Sequence, residues 1–533
     1  NDAPETKENI TWRRGEMIFG CCCLIGAVLY MLQDAISFSE ELKPRVVGLR
    51  PTFWSDSSRA DLNDGQWSSF RSNLITLTVA AAAQVLLCNY ARQYGPRYKL
   101  QASAIYGLGF AAYLHGPGFL FLVAMVLVNY AIAQNLRGSR LLPYIAWFGN
   151  LGFLIMTEYY GGYKFEDLGL PVYLDKFPKE MSWHRVSNLC MLKVVSFVLD
   201  WHWSSKPTEP KSKHILRCTE CTDTIDCLKF RTETAQQDYS LLAFTAYFFY
   251  APLYLAGPTT AFNGWISQVY KPQQTYSTTQ ILTYALRWLL CLAILEWFCH
   301  NLIFPTIANN KRNRPIWESF SAYQYIFASY FILKWIWLKF TVIWRFFRLW
   351  GLCDGIESPE NMGRCMSNNY CFEDFWRQWH RGFNQWLIRY LFIPLGGSQY
   401  KIYNIWVVFG FVALWHDLSL NLLAWGWGMC LFIMPEVIVK RLFAGKRFAD
   451  FRNTLAFNWL CALAGGFYII LLVIANLVGF SFGIKGLGIL MDELLTPEGI
   501  YLMMKAMVVL TLATHWMFSL RRDEAQKGVK RNF

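Results

Sequence analysis

Long apolar runs separated by short polar connections dominate the chain, and a run of about 15 to 25 residues is the length that crosses a bilayer core as a helix. Such runs fall near 16–33, 72–91, 100–114, 119–134, 141–160, 187–203, 239–256, 281–307, 403–418, 419–438, 455–480 and 498–520. The pattern predicts an all-α polytopic membrane protein with about 12 spanning helices, plus re-entrant and interfacial ones.

The connections carry the orientation, because Lys and Arg concentrate on the cytoplasmic side of a membrane. Segments holding Arg92, Arg97 and Lys99, then Arg137 and Arg140, then Lys311, Arg312 and Arg314, then Lys440, Arg441, Lys446 and Arg447 read as cytoplasmic, with both termini there too. Those near 34–71, 160–182 and 481–497 read as lumenal. With 308–318 and 439–453 both basic, and only 403–418 and 419–438 left as spans between them, the aromatic run 319–350 is expected to start and end on one side, as a re-entrant or broken pair buried in protein. That arrangement puts His380 on the cytoplasmic side and His416 near the lumenal end of 403–418, joined by a tunnel across much of the bilayer.

Composition narrows the class. Residues of hydrophobic type make up 54%, too many for a soluble domain. The 24 Trp and 28 Tyr suit interfacial belts. A net charge of +13 lies in short loops between apolar runs, so loop bias accounts for it and no nucleic-acid partner is expected. The first apolar run follows Trp12-Arg13-Arg14 and lacks a small-residue cleavage site, so no cleavable signal peptide is expected. No internal repeat or low-complexity segment appears, and 1–533 reads as a single membrane domain.

Candidate chemistry sits in two places. From Glu373 to Leu391, the aromatic residues Trp376, Trp379, Phe383, Trp386 and Tyr390 recur at three- and four-residue steps, which predicts one amphipathic interfacial helix with Arg377, Arg381, Asn384 and Gln385 on its other face. His380 lies one turn before Asn384, so both side chains are expected to reach one cavity. Trp415-His416-Asp417 ends an uncharged apolar run, where an ionisable group is expensive and therefore a functional candidate. A neutral imidazole is a base able to take a proton from a hydroxyl. A plain helix-packing histidine is the alternative for each, and His115, His300 and His515 illustrate it. The 15 cysteines form no disulfide framework. His214, Cys218, Cys221 and Cys227, in a loop at 204–238 read as cytosolic, offer four zinc-type ligands, though not at the spacing of a standard finger.

The order Phe375-Trp376-Arg377-Gln378-Trp379-His380-Arg381-Gly382-Phe383-Asn384, continuing through Arg389-Tyr390-Leu391-Phe392-Ile393-Pro394-Leu395-Gly396-Gly397-Ser398 to Ala413-Leu414-Trp415-His416-Asp417, resembles the signature region of the membrane-bound O-acyltransferase (MBOAT) superfamily. Asp238-Tyr239-Ser240-Leu241, Tyr250-Ala251-Pro252-Leu253, Arg348-Leu349-Trp350 and Pro359-Glu360-Asn361-Met362 resemble its glycerol-uptake-protein branch, which is related to hedgehog acyltransferase and associated with glycosylphosphatidylinositol (GPI) anchor remodelling in the endoplasmic reticulum. The match is specific over 235–440, with 1–234 variable helices before it and 441–533 C-terminal helices after it. The resemblance implies an acyl-CoA-dependent transferase acting on a lipid hydroxyl, such as the sn-2 hydroxyl of a lyso-GPI, with the bilayer and the lysolipid as partners and no obligatory cofactor. It implies His416 as the base, His380 and Asn384 as groups that hold the carbonyl or oxyanion, and Trp376, Arg377, Trp379, Arg381, Arg389, Trp415 and Asp417 as substrate-binding residues. It also gives Cys365 the place of a cysteine linked to haem in the hedgehog acyltransferase branch. Two other classes compete: a glycerol transporter, for which paired broken helices are expected and only one candidate is found, and a non-catalytic regulator, which would not need both histidines.

Overall fold

The computed structural model describes residues 14–52, 55–204 and 238–527. In chain order its principal helices are α1 (Arg14–Leu42), α2 (Leu74–Arg92), α3 (Pro96–His115), α4 (Phe119–Asn135), α5 (Asn150–Tyr159), α6 (Ser187–Ser204), α7 (Leu241–Phe248), α8 (Phe262–Tyr270), α9 (Thr278–Asn301), α10 (Ala322–Cys353), α11 (Phe372–Gln378), α12 (Arg381–Leu387), α13 (Lys401–His416), α14 (Leu420–Phe443), α15 (Leu455–Phe480), α16 (Gly483–Leu494) and α17 (Pro497–Gln526). One small antiparallel hairpin, β1 (Arg50–Thr52) with β2 (Ser55–Ala60), lies between α1 and α2. Among the described residues 8 helical stretches are long and apolar enough to cross a membrane. The chain is therefore an all-α membrane protein, as its apolar pattern predicts.

Two expected elements are corrected. The run 319–350 is not a re-entrant or broken pair: α10 is one continuous helix of 32 residues. A capping box, in which Ser321 and Gln324 satisfy each other's backbone N–H groups, starts it, and no proline interrupts it. At 1.5 Å per residue it is about 48 Å long, more than the ~30 Å hydrocarbon core. Its charges stay inside because each finds a partner: Lys334 Nζ lies 3.2 Å from Cys365 Sγ, Lys339 Nζ 2.9 Å from Asp64 Oδ2, Arg345 Nε 3.3 Å from Glu360 Oε1, and Arg348 Nε donates to Ser358 O at 2.9 Å. The run 239–256, conversely, is not a span. After α7, Pro252 and Gly257 turn the chain through a short 3-10 segment and a loop into α8, and nearly all of it is buried. A Cβ at Gly257 would collide with Pro252 O, so only glycine fits that turn.

Contacts between helix ends divide the molecule into two ends, and they correct one sidedness expectation. At the first end Val47 N donates to Asn313 Oδ1 at 2.9 Å, Asn63 Nδ2 to Thr306 Oγ1 at 3.2 Å and Met181 N to Leu114 O at 2.9 Å. At the second end Asn89 Nδ2 donates to Cys353 O at 3.2 Å, Arg364 pairs with Glu524 at 2.7 Å and Lys401 with Glu373 at 3.0 Å. The basic loop with Lys311, Arg312 and Arg314 therefore sits with residues 47–63, not with Arg92 and Lys99. Its charges misled because loop bias is a tendency, whereas Asn310 and Asn313 both donate to Val47 O at 3.0 Å. The misplaced crossing at 239–256 and the missed crossing at 322–353 cancel, so Lys401 and His416 still fall at opposite ends of α13.

Candidate active site

The expected amphipathic helix from Glu373 to Leu391 is broken at its centre. α11 ends at Gln378, Trp379 is extended, and His380 takes φ 48° and ψ 48°, the sole non-glycine positive φ among the described residues. Then α12 begins, running into a π-turn over Ile388–Phe392. A left-handed histidine costs about 1–2 kcal/mol and persists only where its surroundings dictate it. Aromatic residues on both sides of the break keep the helical spacing, which hides the break from a periodicity argument.

His380 lies flat on Trp344 of α10, ring centroids 4.5 Å apart and planes 6° from parallel. It also meets Phe383 at 5.2 Å and Trp415 at 6.2 Å. The other face of the site belongs to the last turn of α13, where the His416 ring lies 4.8 Å from Trp415 and 6.2 Å from Phe480. One indole, Trp415, thus touches both imidazoles. This corrects the expectation of a tunnel across much of the bilayer between them: the two histidines stand on either side of one indole, separated by a small part of the ~30 Å core. Trp415 is anchored from α6, its Nε1 donating to Asn188 O at 2.8 Å and its own carbonyl accepting from Asn188 Nδ2 at 3.4 Å.

His416 opens onto a cavity of about 300 Å³, the lower bound for small-molecule sites. Protein surrounds it at longer range, yet its side chain is exposed because that surface faces the cavity. Asp417 and Leu418 line the same space, together with Glu158, His184, Arg185 and Asn188. These last four were not singled out by the sequence; Trp183-His184 is one of four Trp-His pairs in the chain, but Trp201-His202 is another and does not line the cavity, so that pairing alone would not have found them.

The remaining expected residues divide. Trp376 packs edge-on to Trp425 at 5.4 Å, and Trp379 stacks on Phe375 at 5.7 Å, so both pack in the aromatic surroundings of the histidines rather than line the cavity. Asn384 N donates to His380 O at 3.0 Å, which sets Asn384 one turn into α12 after the histidine. Arg381 is buried, whereas Arg377 is exposed at the second end and pairs with Glu373 at 3.1 Å. Burial opposes ionisation of Glu373, but Lys401, Lys440 and Arg377 outweigh it and hold the carboxyl below its ordinary range. Arg389 is not a free cation for a donor: it pairs with the buried Asp200 at 2.7 Å and lies over Trp203. Cys365 is half-buried, with Lys334 Nζ 3.2 Å from its Sγ, and nothing beyond that sulfur argues for haem. His214, Cys218, Cys221 and Cys227 lie outside the described residues, and among the described ones no cluster of three or more metal-ligating side chains occurs.

A body of long membrane helices enclosing two imidazoles and stacked indoles defines an integral-membrane protein with an internal, histidine-bearing site. The description "MBOAT, membrane-bound O-acyltransferase family" matches residues 170–478, a span that holds both histidines and every wall of the cavity except Glu158 and its helix. The chain belongs to this family. The membrane-bound O-acyltransferase gup1 of Schizosaccharomyces pombe is 34% identical over 89% of this chain and 82% of its own length. GUP1 of Saccharomyces cerevisiae is 32% identical over 99% of this chain and 95% of its own. More distantly, mouse protein-cysteine N-palmitoyltransferase HHAT is 28% identical over 37% of this chain and 40% of its own.

Proposed function

We propose that the chain moves a long-chain acyl group from acyl-CoA to a lipid hydroxyl, specifically the sn-2 hydroxyl of a lyso-GPI anchor, in the endoplasmic reticulum membrane. The observation that carries this reading is the shared indole: His416 faces a cavity while His380, on the other side of Trp415, is packed among aromatic rings. The acceptor enters through that cavity at the first end, which is lumenal in this reading. Acyl-CoA, polyanionic and cytosolic, approaches the second end, where Arg377 and Lys401 lie.

His416 takes the acceptor's hydroxyl proton as the oxygen attacks the thioester carbonyl. His380 and Asn384 hold the carbonyl oxygen as it becomes an oxyanion, each through an N–H. On collapse the carbon–sulfur bond breaks and the thiolate leaves with the proton that His416 carried. Both termini are cytosolic in this arrangement.

Lipid analysis of GPI anchors from cells expressing His416→Ala beside wild type tests the proposal. Accumulation of the lyso form is expected. Unchanged anchor lipids together with lost glycerol uptake would replace it with the transporter reading.

A further inference from the structure

His380 begins α12, and a helix start leaves its first N–H groups without partners inside the helix. The residue in that place is normally Ser, Thr, Asp or Asn in an extended conformation, whose side chain turns back to accept from the helix. His380 is neither: it is left-handed, and its imidazole makes no capping bond. The cap comes from another segment. Asn361 O accepts from Arg381 N at 3.2 Å, and Asn361 Oδ1 accepts from Gly382 N at 3.0 Å.

The same segment holds the chain just before the histidine. Gly363 N donates to Gln378 O at 3.3 Å, and Met362 and Trp379 form an isolated antiparallel bridge. His380 is thus the residue left over between two stretches that residues 361–363 pin on either side. There is no slack in the fit. A Cβ at Gly382 would stand 2.7 Å from Thr259 O and 3.1 Å from Asn361 Oδ1, and one at Gly363 would collide with Gln378 Oε1. Asn361 itself is 0% exposed, and its Nδ2 is buried with no hydrogen-bond partner among the described residues.

We propose that Asn361 is a positioning residue for His380. By capping α12 in its place, Asn361 frees the imidazole to lie on Trp344 and face Trp415, and fixes the left-handed backbone that aims it there. The inference rests on the role given to His380 above. It assigns to Asn361 an action through the acceptor Oδ1, not through contact with substrate.

The test uses the full chain, purified in nanodiscs, with palmitoyl-CoA and lysophosphatidylinositol as probe substrates. Asn361→Ala removes the side-chain cap, and kcat is expected to fall about 100-fold, the scale of a 1 Å misplacement, with both KM values within about threefold of wild type. Asn361→Asp keeps an acceptor oxygen in either protonation state and is expected to retain kcat within about fivefold. Wild-type kcat in Asn361→Ala, beside an inactive His380→Ala, overturns the proposal. So does an Asn361→Asp as impaired as Asn361→Ala, since Nδ2 would then be the working group. Should Asn361→Ala fail to fold, Asn361→Ser replaces it, because its shorter hydroxyl does not reach Gly382 N; the same loss supports the proposal and wild-type kcat overturns it. Wild-type kcat in His380→Ala would instead remove the histidine's role, and is read separately.

Discussion

The two histidines stand one indole apart and live in opposite surroundings. His380 is a strained residue in an aromatic setting, its backbone pinned from the 361–363 segment and its ring flat on Trp344. His416 ends a regular helix and faces a cavity whose charged and imidazole walls include Glu158, His184, Arg185 and Asp417. A group that exchanges a proton with an incoming hydroxyl needs access, and one that orients a carbonyl needs rigidity and the absence of water. The two environments suit the two tasks proposed for these residues.

The sharpest way to break this comparison is to remove each ring in turn. In the nanodisc assay with palmitoyl-CoA and lysophosphatidylinositol, His416→Ala is expected to lose about 10³-fold or more in kcat, the upper range for general-base catalysis. His380→Ala is expected to lose about 10²-fold, the scale of one oxyanion donor. Diethylpyrocarbonate should modify His416 before His380, read by peptide mass spectrometry. Equal modification rates would dissolve the distinction between a cavity-facing and an aromatic-packed histidine.

A smaller effect probes the wall they share. Trp415→Phe keeps a ring between the imidazoles but removes the Nε1 hydrogen bond to Asn188 O. About 0.5–1.5 kcal/mol of stability should go with it, along with a roughly three- to tenfold drop in kcat if Asn188 is what holds the indole in register. Unchanged kcat with lowered thermal stability would make that bond structural only.

Much of this was readable in the chain, and the misreadings have physical causes. His416 stood out because an ionisable group closes an uncharged apolar run, and that depends on local sequence alone. α10 was missed because its cations are answered across the fold, Lys339 by Asp64 from 275 residues earlier in the chain and Arg345 and Arg348 by Glu360 and Ser358 O in the segment that follows the helix, pairings outside any helical spacing. The break at His380 was hidden because Trp376, Trp379, Phe383 and Trp386 face a common aromatic core whether or not one helix carries them. The anchor of Trp415 and the cap of α12 come from Asn188, in the first turn of α6, and Asn361, in a connection, and both roles exist only once separate segments meet.

The smallest effect concerns a titrating group away from both histidines, and it decides whether a pH profile can be assigned to them. Asp61, in the connection after β2, is buried; burial raises its pKa to about 7 against hydrogen bonds from Thr306 N at 2.8 Å and Oγ1 at 2.7 Å. An acid whose folded pKa lies above its unfolded value binds more protons folded, so its stabilising contribution is full below pH ~4 and is lost as pH rises to about 7. The slope is on the order of 1 kcal/mol per pH unit across that window. Asp61→Asn keeps one acceptor for Thr306 and cannot ionise, so thermal unfolding of the nanodisc-held protein should lose this downward slope between pH 5 and 7. If wild type and variant show parallel Tm–pH curves, Asp61 does not titrate there, and any inflection in kcat near neutrality has to come from the site or its acceptor.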